Sequence, residues 1–322
     1  MNNQKVMNIL LCVDDFKWDY TRHCAVTILS LLETNKNHKI KIFVMSSLLP
    51  EENIIELKRI VKSYNQEIEF IIRDNLVPEE IKASVINRRN LTWGTWYRLF
   101  FPLYIKNIDR LLYLDCDILV TKDIEDIYNM DMKWKAIAWY YDIDVTRFIS
   151  EYYFGIKQYI NAWVLLIDVE KFSEYKINKT LIMDINKKYW NNINNSDQDY
   201  INLIFKDDIY IYKKLMNYQI TTKFFNVWLN NAKIIHCLSK PYVQYNNVPN
   251  NLVEFYYSLL NLTKWKWYPE KKAGYWCFVH MIWFLRNFIF HWFMFLLWDW
   301  TKRKIFCYVY KFLWISYKAD DK

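Results

Sequence analysis

Glycine is nearly absent from this chain. Among 322 residues only Gly94, Gly155 and Gly274 occur, so neither a Walker loop nor a G-x-G-x-x-G dinucleotide fingerprint can be written anywhere in it. A phosphate bound here must be held by something other than a glycine-rich loop. Cysteine is sparse and scattered. Cys12, Cys24, Cys116, Cys237, Cys277 and Cys307 contain no C-x-x-C pair, which excludes the usual zinc knuckles and gives no disulfide framework. Reduced, packed thiols are expected. There is no internal repeat and no linker rich in Pro, Gly or Ser. No secretory leader is expected, because the first apolar stretch, VMNILLCV, is short and runs directly into Asp14–Asp15. A cytoplasmic protein is the expectation.

What is present is apolar bulk and an uneven charge. Apolar residues make up 53% of the chain, enough for a sizeable core and against global disorder. The net charge is +8, yet residues 261–322 alone hold eleven Lys and Arg against four acids. The first 260 residues are therefore nearly neutral. A neutral body with a basic, aromatic end suits a membrane surface, and no nucleic-acid-binding module is recognisable, so no nucleic-acid partner is expected.

The first 240 residues alternate short apolar runs with amphipathic stretches, the pattern of an α/β sheet covered by helices. VMNILLCV (6–13), IKIFVM (40–45) and EIEFII (67–72) read as strands. Between them, Thr21–Glu33 repeats Ala25, Ile28, Leu29 and Leu32 at helical spacing, and a second helix spans Glu51–Tyr64 after Pro50. Trp96–Tyr104 reads as a helix kinked or ended by Pro102. LLYLDCDILV (111–120), a segment near Trp134–Trp139 and NAWVLLIDV (161–169) are further strands, followed by helices near 177–190 and from Asp197. AKII is the last strand, ending at Ile235. Residues 241–260 read as a weakly patterned transition, dividing a domain of residues 1–245 from a C-terminal region of residues 246–322.

The chemistry gathers at strand ends. Read as one strand, LLYLDCDILV sends Asp115 and Asp117 to one side and Cys116 to the other. Two carboxylates that close repel one another unless water bathes them or a cation lies between them, and hard oxygen ligands suit Mg²⁺ or Mn²⁺. A solvated strand-to-turn junction is the plainer alternative. Asp14 and Asp15 follow the first strand, where a carboxylate accepts hydrogen bonds from a base or ribose, or caps the next helix. His236 lies just past AKII and is either a structural histidine or the completion of the metal site. Lys240 is placed to meet a phosphate. Arg98, in TWYRLFFP, is either a phosphate clamp or a snorkelling surface residue, and Asp197–Gln198–Asp199 opens a helix whose dipole favours acids there in any case.

The order of these elements resembles glycosyltransferase family 8, the retaining enzymes that include bacterial lipopolysaccharide galactosyl- and glucosyltransferases and glycogenin. The resemblance rests on ILLCVDD, WYRLFFP, L-Y-L-D-x-D at Leu112–Asp117, the strand entry at Asn161, the D-Q-D helix start and a histidine before lysine–proline, over residues 6–241. It implies a GT-A fold with a Rossmann-like nucleotide-binding sheet. It also implies transfer of galactose or glucose from a UDP-hexose to a saccharide or glycolipid acceptor, lipopolysaccharide core or a lipid-linked oligosaccharide. By the same resemblance, Asp115, Asp117 and His236 ligate Mn²⁺ (or Mg²⁺), and Lys240 meets the diphosphate. Asp14 and the backbone near Cys12 meet uracil and ribose, and Arg98 meets the donor. Asn161, Asp197 and Gln198 line the sugar and the reaction centre. Gln198 is a poor nucleophile, which favours front-side transfer over a double displacement. Two departures stand out: Trp163 replaces the glycine of the family's asparagine–alanine–glycine, and the segment from His236 to Lys240 is short and lacks its usual glycine. Asp142 is taken as the aspartate expected after the strand at Trp139. The alternative function is an inactive relative that binds nucleotide-sugar or membrane partners.

The end of the chain carries its own signal. GYWCFVHMIWFLRNFIFHWFMFLLWDW (274–300) is long enough to span a bilayer, but Arg286 near its middle costs about 2.5–3.5 kcal/mol on insertion scales. On a helical wheel His280, Asn287, His291 and Lys302 form one narrow stripe, with Lys271–Lys272 and Lys302–Lys304 at the flanks. That pattern predicts a helix lying in the interface against anionic lipid, hence a peripheral protein on the inner face of the cytoplasmic membrane.

Overall fold

The near-continuous apolar runs form strands buried on both faces. In the computed structural model, which describes residues 6–16, 20–88, 92–139, 146–157, 159–212, 217–220, 232–237 and 250–267, a seven-stranded sheet has the order β3-β2-β1-β4-β7-β6-β8. Its strands are β1 (Met7–Cys12), β2 (Ile40–Ser46), β3 (Glu67–Ile72), β4 (Arg110–Leu114), β6 (Ile137–Trp139), β7 (Val164–Asp168) and β8 (Ile209–Ile211). β1 pairs in parallel with β2 and β4, and β2 with β3. β7 runs antiparallel between β4 and β6. Ile9, Leu10 and Leu11 of β1 are wholly buried at the centre, as a strand flanked by strands and covered by helices requires. β3, at the edge, instead exposes Glu67 and Glu69, charges that blunt an open edge.

Helices α1 (Thr21–Thr34) and α2 (Glu51–Ser63) form where the periodicity predicts. Every residue of α1 from Thr21 to Leu32 is buried, so it is a core helix with more than one packed face. Among its neighbours is a helix at Asn250–Leu260, where the sequence suggested only a weakly patterned transition. Tyr256 Oη lies 2.9 Å from His23 Nδ1 on α1. The apolar positions of that helix (Leu252, Tyr256, Leu259, Leu260) are spaced by three and four and are buried, a helical signal.

Three expectations about local structure are corrected. LLYLDCDILV is not one strand: β4 ends at Leu114, Cys116 and Asp117 lie in a turn, and β5 (Ile118–Val120) joins a second sheet of order β5-β10-β9. The break is stabilised by α1. Thr27 Oγ1 lies 2.9 Å from the Cys116 carbonyl and 2.8 Å from that of Ile118, and the Val120 amide donates to Ser30 Oγ at 3.0 Å. Hydroxyls of α1 thus serve one edge of β5 while β10 (Ile234–Cys237) pairs antiparallel with the other. His236 accordingly sits inside β10, opposite Ile118, not past a strand end. β9 (Asn217–Ile220) pairs in parallel with β10. Lastly, Trp96–Tyr104 is not one helix but the end of a 3₁₀ turn at Trp93–Trp96, one α turn at Tyr97–Phe100 and a second 3₁₀ turn at Phe101–Leu103. Pro102 has no amide to donate there.

Candidate active site

β4 runs parallel to β1 and delivers Asp115 at the carboxyl end of the sheet. β7 runs the other way, so its entry lies beside the exit of β4, and the Asp115 amide donates to the Trp163 carbonyl at 2.8 Å. The turn after Asp115 brings Asp117 round, and β10 brings His236 from 119 residues away: His236 Nε2 lies 3.1 Å from Asp117 Oδ1 and 3.9 Å from Asp115 Oδ2. One donor atom from each of the three residues lies within 4.8 Å of the others.

The chemistry of this donor set fits a divalent cation. Two carboxylates and an imidazole are hard and borderline ligands. Asp117 and His236 are almost fully buried, so the acids face each other without much water. Burial, the Arg98 guanidinium working against it and the Asp117 carboxylate adding to it, leaves the Asp115 carboxyl above its ordinary range. A cation between the two carboxylates would relieve repulsion that the Arg98 guanidinium on Asp115 leaves in place. A second group, His38, Asp123 and Glu125, also brings donor atoms within that distance, but its acids are exposed and His38 already pairs with Asp123 at 2.6 Å.

Arg98 is a strut under the site. Its side chain is 4% exposed. Nε donates to Asp197 Oδ2 at 2.9 Å, Nη2 donates to the same oxygen, and Nη1 donates to Asp115 Oδ1 at 3.1 Å and to the Ala162 carbonyl. The guanidinium also lies over the Tyr113 ring, 4.8 Å from its centroid, and Tyr113 Oη donates to Asp115 Oδ1. Asp115 Oδ1 is therefore held by two donors, Arg98 Nη1 and Tyr113 Oη. Tyr113 was not singled out in the sequence; its position two residues before Asp115, on the same strand face, is the signal that marks it.

Behind the strut, the helix Asp197–Ile204 presents its first turn to the entry of β7. Gln198 Oε1 accepts from the Ala162 amide at 3.1 Å, and Gln198 Nε2 donates to Tyr159 Oη at 3.3 Å. Asp199 is used internally, accepting from the Asn194 and Asn195 amides at 2.7 and 2.6 Å and from Tyr159 Oη. Ser196 opens the helix at φ 49° and ψ −126°, a left-handed conformation costly for a residue with a Cβ; its hydroxyl donates to Asn87 Oδ1 at 2.9 Å. Asn161 is 3% exposed, and its Oδ1 has no donor among the described residues.

At the end of β1, Asp14 and Asp15 part ways. Asp15 caps α1, accepting from the Tyr20 and Thr21 amides at 3.0 and 3.1 Å and from Asn53 Nδ2 at 3.0 Å. Asp14 accepts from the Ser47 amide at 2.8 Å, from Ser47 Oγ at 3.0 Å and from Tyr97 Oη at 2.8 Å. A Cβ on Gly94 would lie 3.4 Å from its Oδ2, an ordinary van der Waals contact. Cys12 is buried and its carbonyl accepts from Cys116 Sγ at 3.3 Å. Cys12, Cys24 and Cys116 are free thiols in the core. Lys240, Asp142, the domain division at 245/246 and the aromatic segment 274–300 lie outside the described residues.

Comparison with known proteins bears on this arrangement. Residues 8–241 match the family model for glycosyl transferase family 8. The chain belongs to glycosyltransferase family 8. It is similar to the General stress protein A of Bacillus subtilis (strain 168), 25% identical over 284 residues covering 82% of this chain and 96% of that one. It is equally similar to the lipopolysaccharide 1,2-glucosyltransferase of Escherichia coli, 25% identical over 301 residues covering 85% and 83%. The fold is that of the galactosyltransferase LgtC solved with donor and acceptor sugar analogs, with a TM-score of 0.66 at 20% identity over 80% of this chain and 96% of that one. This family 8 chain is thus a GT-A glycosyltransferase. In such an enzyme the acidic turn, Arg98 and the first turn of the helix at Asp197 lie together at one edge of the sheet, where open α/β sheets bind ligands.

Proposed function

We propose that this family 8 enzyme transfers a hexose, galactose or glucose, from a UDP-sugar to a saccharide acceptor with retention at the anomeric carbon. The observation that carries this reading is the convergence of Asp115, Asp117 and His236 within 4.8 Å beside the Arg98–Asp197 pair and Gln198. The names of the Escherichia coli glucosyltransferase and of LgtC support a hexose and, for the acceptor, lipopolysaccharide core or a lipid-linked oligosaccharide.

Asp115, Asp117 and His236 would hold Mn²⁺ or Mg²⁺, which supplies Lewis acidity toward the diphosphate leaving group when bound. Lys240 adds a cation toward the same group. Asp14, the backbone at Cys12 and Arg98 serve the donor, Asp14 meeting the nucleoside with Tyr97 and Ser47 holding its carboxylate in place. Asn161 Oδ1, buried and without a donor, is an acceptor for a sugar hydroxyl. The bond from the anomeric carbon to the phosphate oxygen breaks, and the bond to the acceptor oxygen forms on the same face. The acceptor proton passes to the departing phosphate oxygen. The Gln198 carbonyl dipole stabilises the oxocarbenium-like centre in between. Asp197, whose Oδ2 is taken by Arg98, offers Oδ1 to a donor or acceptor hydroxyl. The alternative of an inactive relative is motivated by Trp163, and the convergence of Asp115, Asp117 and His236 beside that indole favours an active enzyme over it.

Among the described residues no helix is long and apolar enough to cross a membrane. The basic, aromatic segment 274–304 supports attachment to the cytoplasmic face of an anionic bilayer. The test of the activity is a panel of UDP-sugars incubated with enzyme and Mn²⁺, with free UDP and glycosylated product followed by mass spectrometry. UDP-galactose or UDP-glucose should be turned over. Asp115→Asn and Asp117→Asn should each abolish turnover, and His236→Ala should be milder because water replaces a neutral ligand. Full activity of either Asp variant in EDTA would refute the assignment.

A further inference from the structure

A histidine that ligates a metal almost always donates its other ring N–H to a carboxylate, carbonyl or water, and that bond fixes the ring. His236 breaks the pattern. Its side chain is 4% exposed, Nε2 faces the carboxylate pair, and the buried Nδ1 has no hydrogen-bond partner among the described residues. What touches the ring instead is Trp163. The indole lies parallel to the imidazole, with centroids 4.2 Å apart and planes inclined by 19°. The same residue holds the Asp115 amide through its carbonyl at 2.8 Å. One position therefore contacts two members of the candidate ligand set, one through its backbone and one through its ring. The two contacts differ in what a substitution does to them: the carbonyl survives any side-chain change, whereas the stack does not.

We propose that Trp163 is a positioning residue for the metal centre: its indole orients the His236 imidazole by stacking, in place of the missing hydrogen bond at Nδ1. The inference rests on the reading of Asp115, Asp117 and His236 as metal ligands. A flat aromatic face suits the task because the imidazole slides on it with little cost in the plane but tilts out of the plane only by losing contact. The stack thereby sets the direction of Nε2 while leaving its distance to a bound ion free to adjust. It also covers one face of a ring that would otherwise have to be fixed by a polar group, and none lies at Nδ1 among the described residues. An indole at this position, where the family resemblance calls for glycine, is then part of the metal site and not an obstruction beside it.

The test is Mn²⁺ binding to the full-length protein, by titration calorimetry and by electron paramagnetic resonance, with ¹⁴N coupling to the bound ion as the signature of imidazole ligation. Wild type, Asp117→Asn, Trp163→Ala, Trp163→Leu and Trp163→Phe are compared, each checked for an unchanged circular dichroism spectrum. Wild type should bind with ¹⁴N coupling. Trp163→Ala and Trp163→Leu should bind about three- to tenfold more weakly, the weight of one aromatic pair, with the coupling reduced or lost. Trp163→Phe should recover both. Affinity and coupling unchanged in Trp163→Ala, or Trp163→Leu matching wild type, would overturn the positioning role while leaving the metal site standing. Wild type that binds no Mn²⁺, or Asp117→Asn that binds it as wild type does, would overturn the metal reading and this inference with it.

Discussion

At the scale of single residues, the site is held by one buried cation shared between two acids. Arg98 reaches Asp115 and the Ala162 carbonyl with Nη1 and Asp197 with Nε and Nη2, and only a planar fork of donors can do so from one position. Arg98→Met should destabilise the protein by about 3 kcal/mol or more, because both carboxylates are left buried without their partner. Arg98→Lys should recover little of this, since an ammonium cannot span the three acceptors. Equilibrium urea denaturation checks both, and a midpoint unchanged in Arg98→Met would mean the acids find other donors. The sequence made Arg98 a candidate, but it left open whether the side chain lies on the surface or in a site. Only packing decides that, because a snorkelling arginine and a buried one have the same neighbours along the chain. Trp163 was visible as an oddity, and its partner was not, since His236 lies 73 positions further along the chain.

At the scale of elements, the strands that read most clearly are those of the parallel half of the sheet, each bounded by an amphipathic helix or a turn in the sequence. β1, β2 and β3 appear within a residue of where the sequence pattern places them: β1 and β2 as nearly continuous apolar runs that are buried, β3 as an alternating run at the open edge. LLYLDCDILV likewise reads as one strand and is two, since nothing in a run of apolar residues tells which sheet each half joins. β8 and the helix Thr146–Phe154 were not anticipated; three residues are too few to show a period. The helix at Asn250–Leu260 is followed by a segment clamped to α2. Glu56 Oε1 accepts from the Lys264 amide at 2.8 Å and from Arg59 Nη2 at 2.8 Å, and that guanidinium also donates to the Leu262 carbonyl at 2.9 Å. The Arg59 hydrogen bonds, against the opposing pull of burial, hold the Glu56 carboxyl below its ordinary range. A lowered folded value means the clamp contributes in full above the ordinary carboxylate pKa of about 4.3 and is lost as pH falls through the lower, folded one. Glu56→Gln should weaken it at neutral pH by about 1 kcal/mol. Amide hydrogen exchange of residues 250–267 should rise roughly fivefold in the variant. Protection that stays the same would show the segment is held by its apolar contacts alone.

At the scale of the whole molecule, the uneven charge predicts a surface. The intact chain should float with vesicles containing anionic lipid and be partly released by high salt, as polybasic attachment requires. A chain lacking residues 274–322 should stay in the aqueous fraction while still binding donor. Flotation of that truncated chain, or an intact chain indifferent to vesicles, would show that the aromatic end serves another purpose. The geometry around His236 carries a different consequence, one of chain entropy. β10 meets the acidic turn across 119 residues, so bringing the three ligands together closes a long loop whose cost grows with the logarithm of its length. An ion captured there ties the far end of the catalytic domain to its middle only once both have folded, so its binding free energy becomes folding free energy. At a hundredfold excess over its dissociation constant, Mn²⁺ should add about 2.7 kcal/mol and raise the thermal midpoint by roughly 5–10 °C. Asp117→Asn should show no such rise. The ion would then be a late fastener of the fold, and starving the cell of it would shorten the life of the protein as well as slow its reaction.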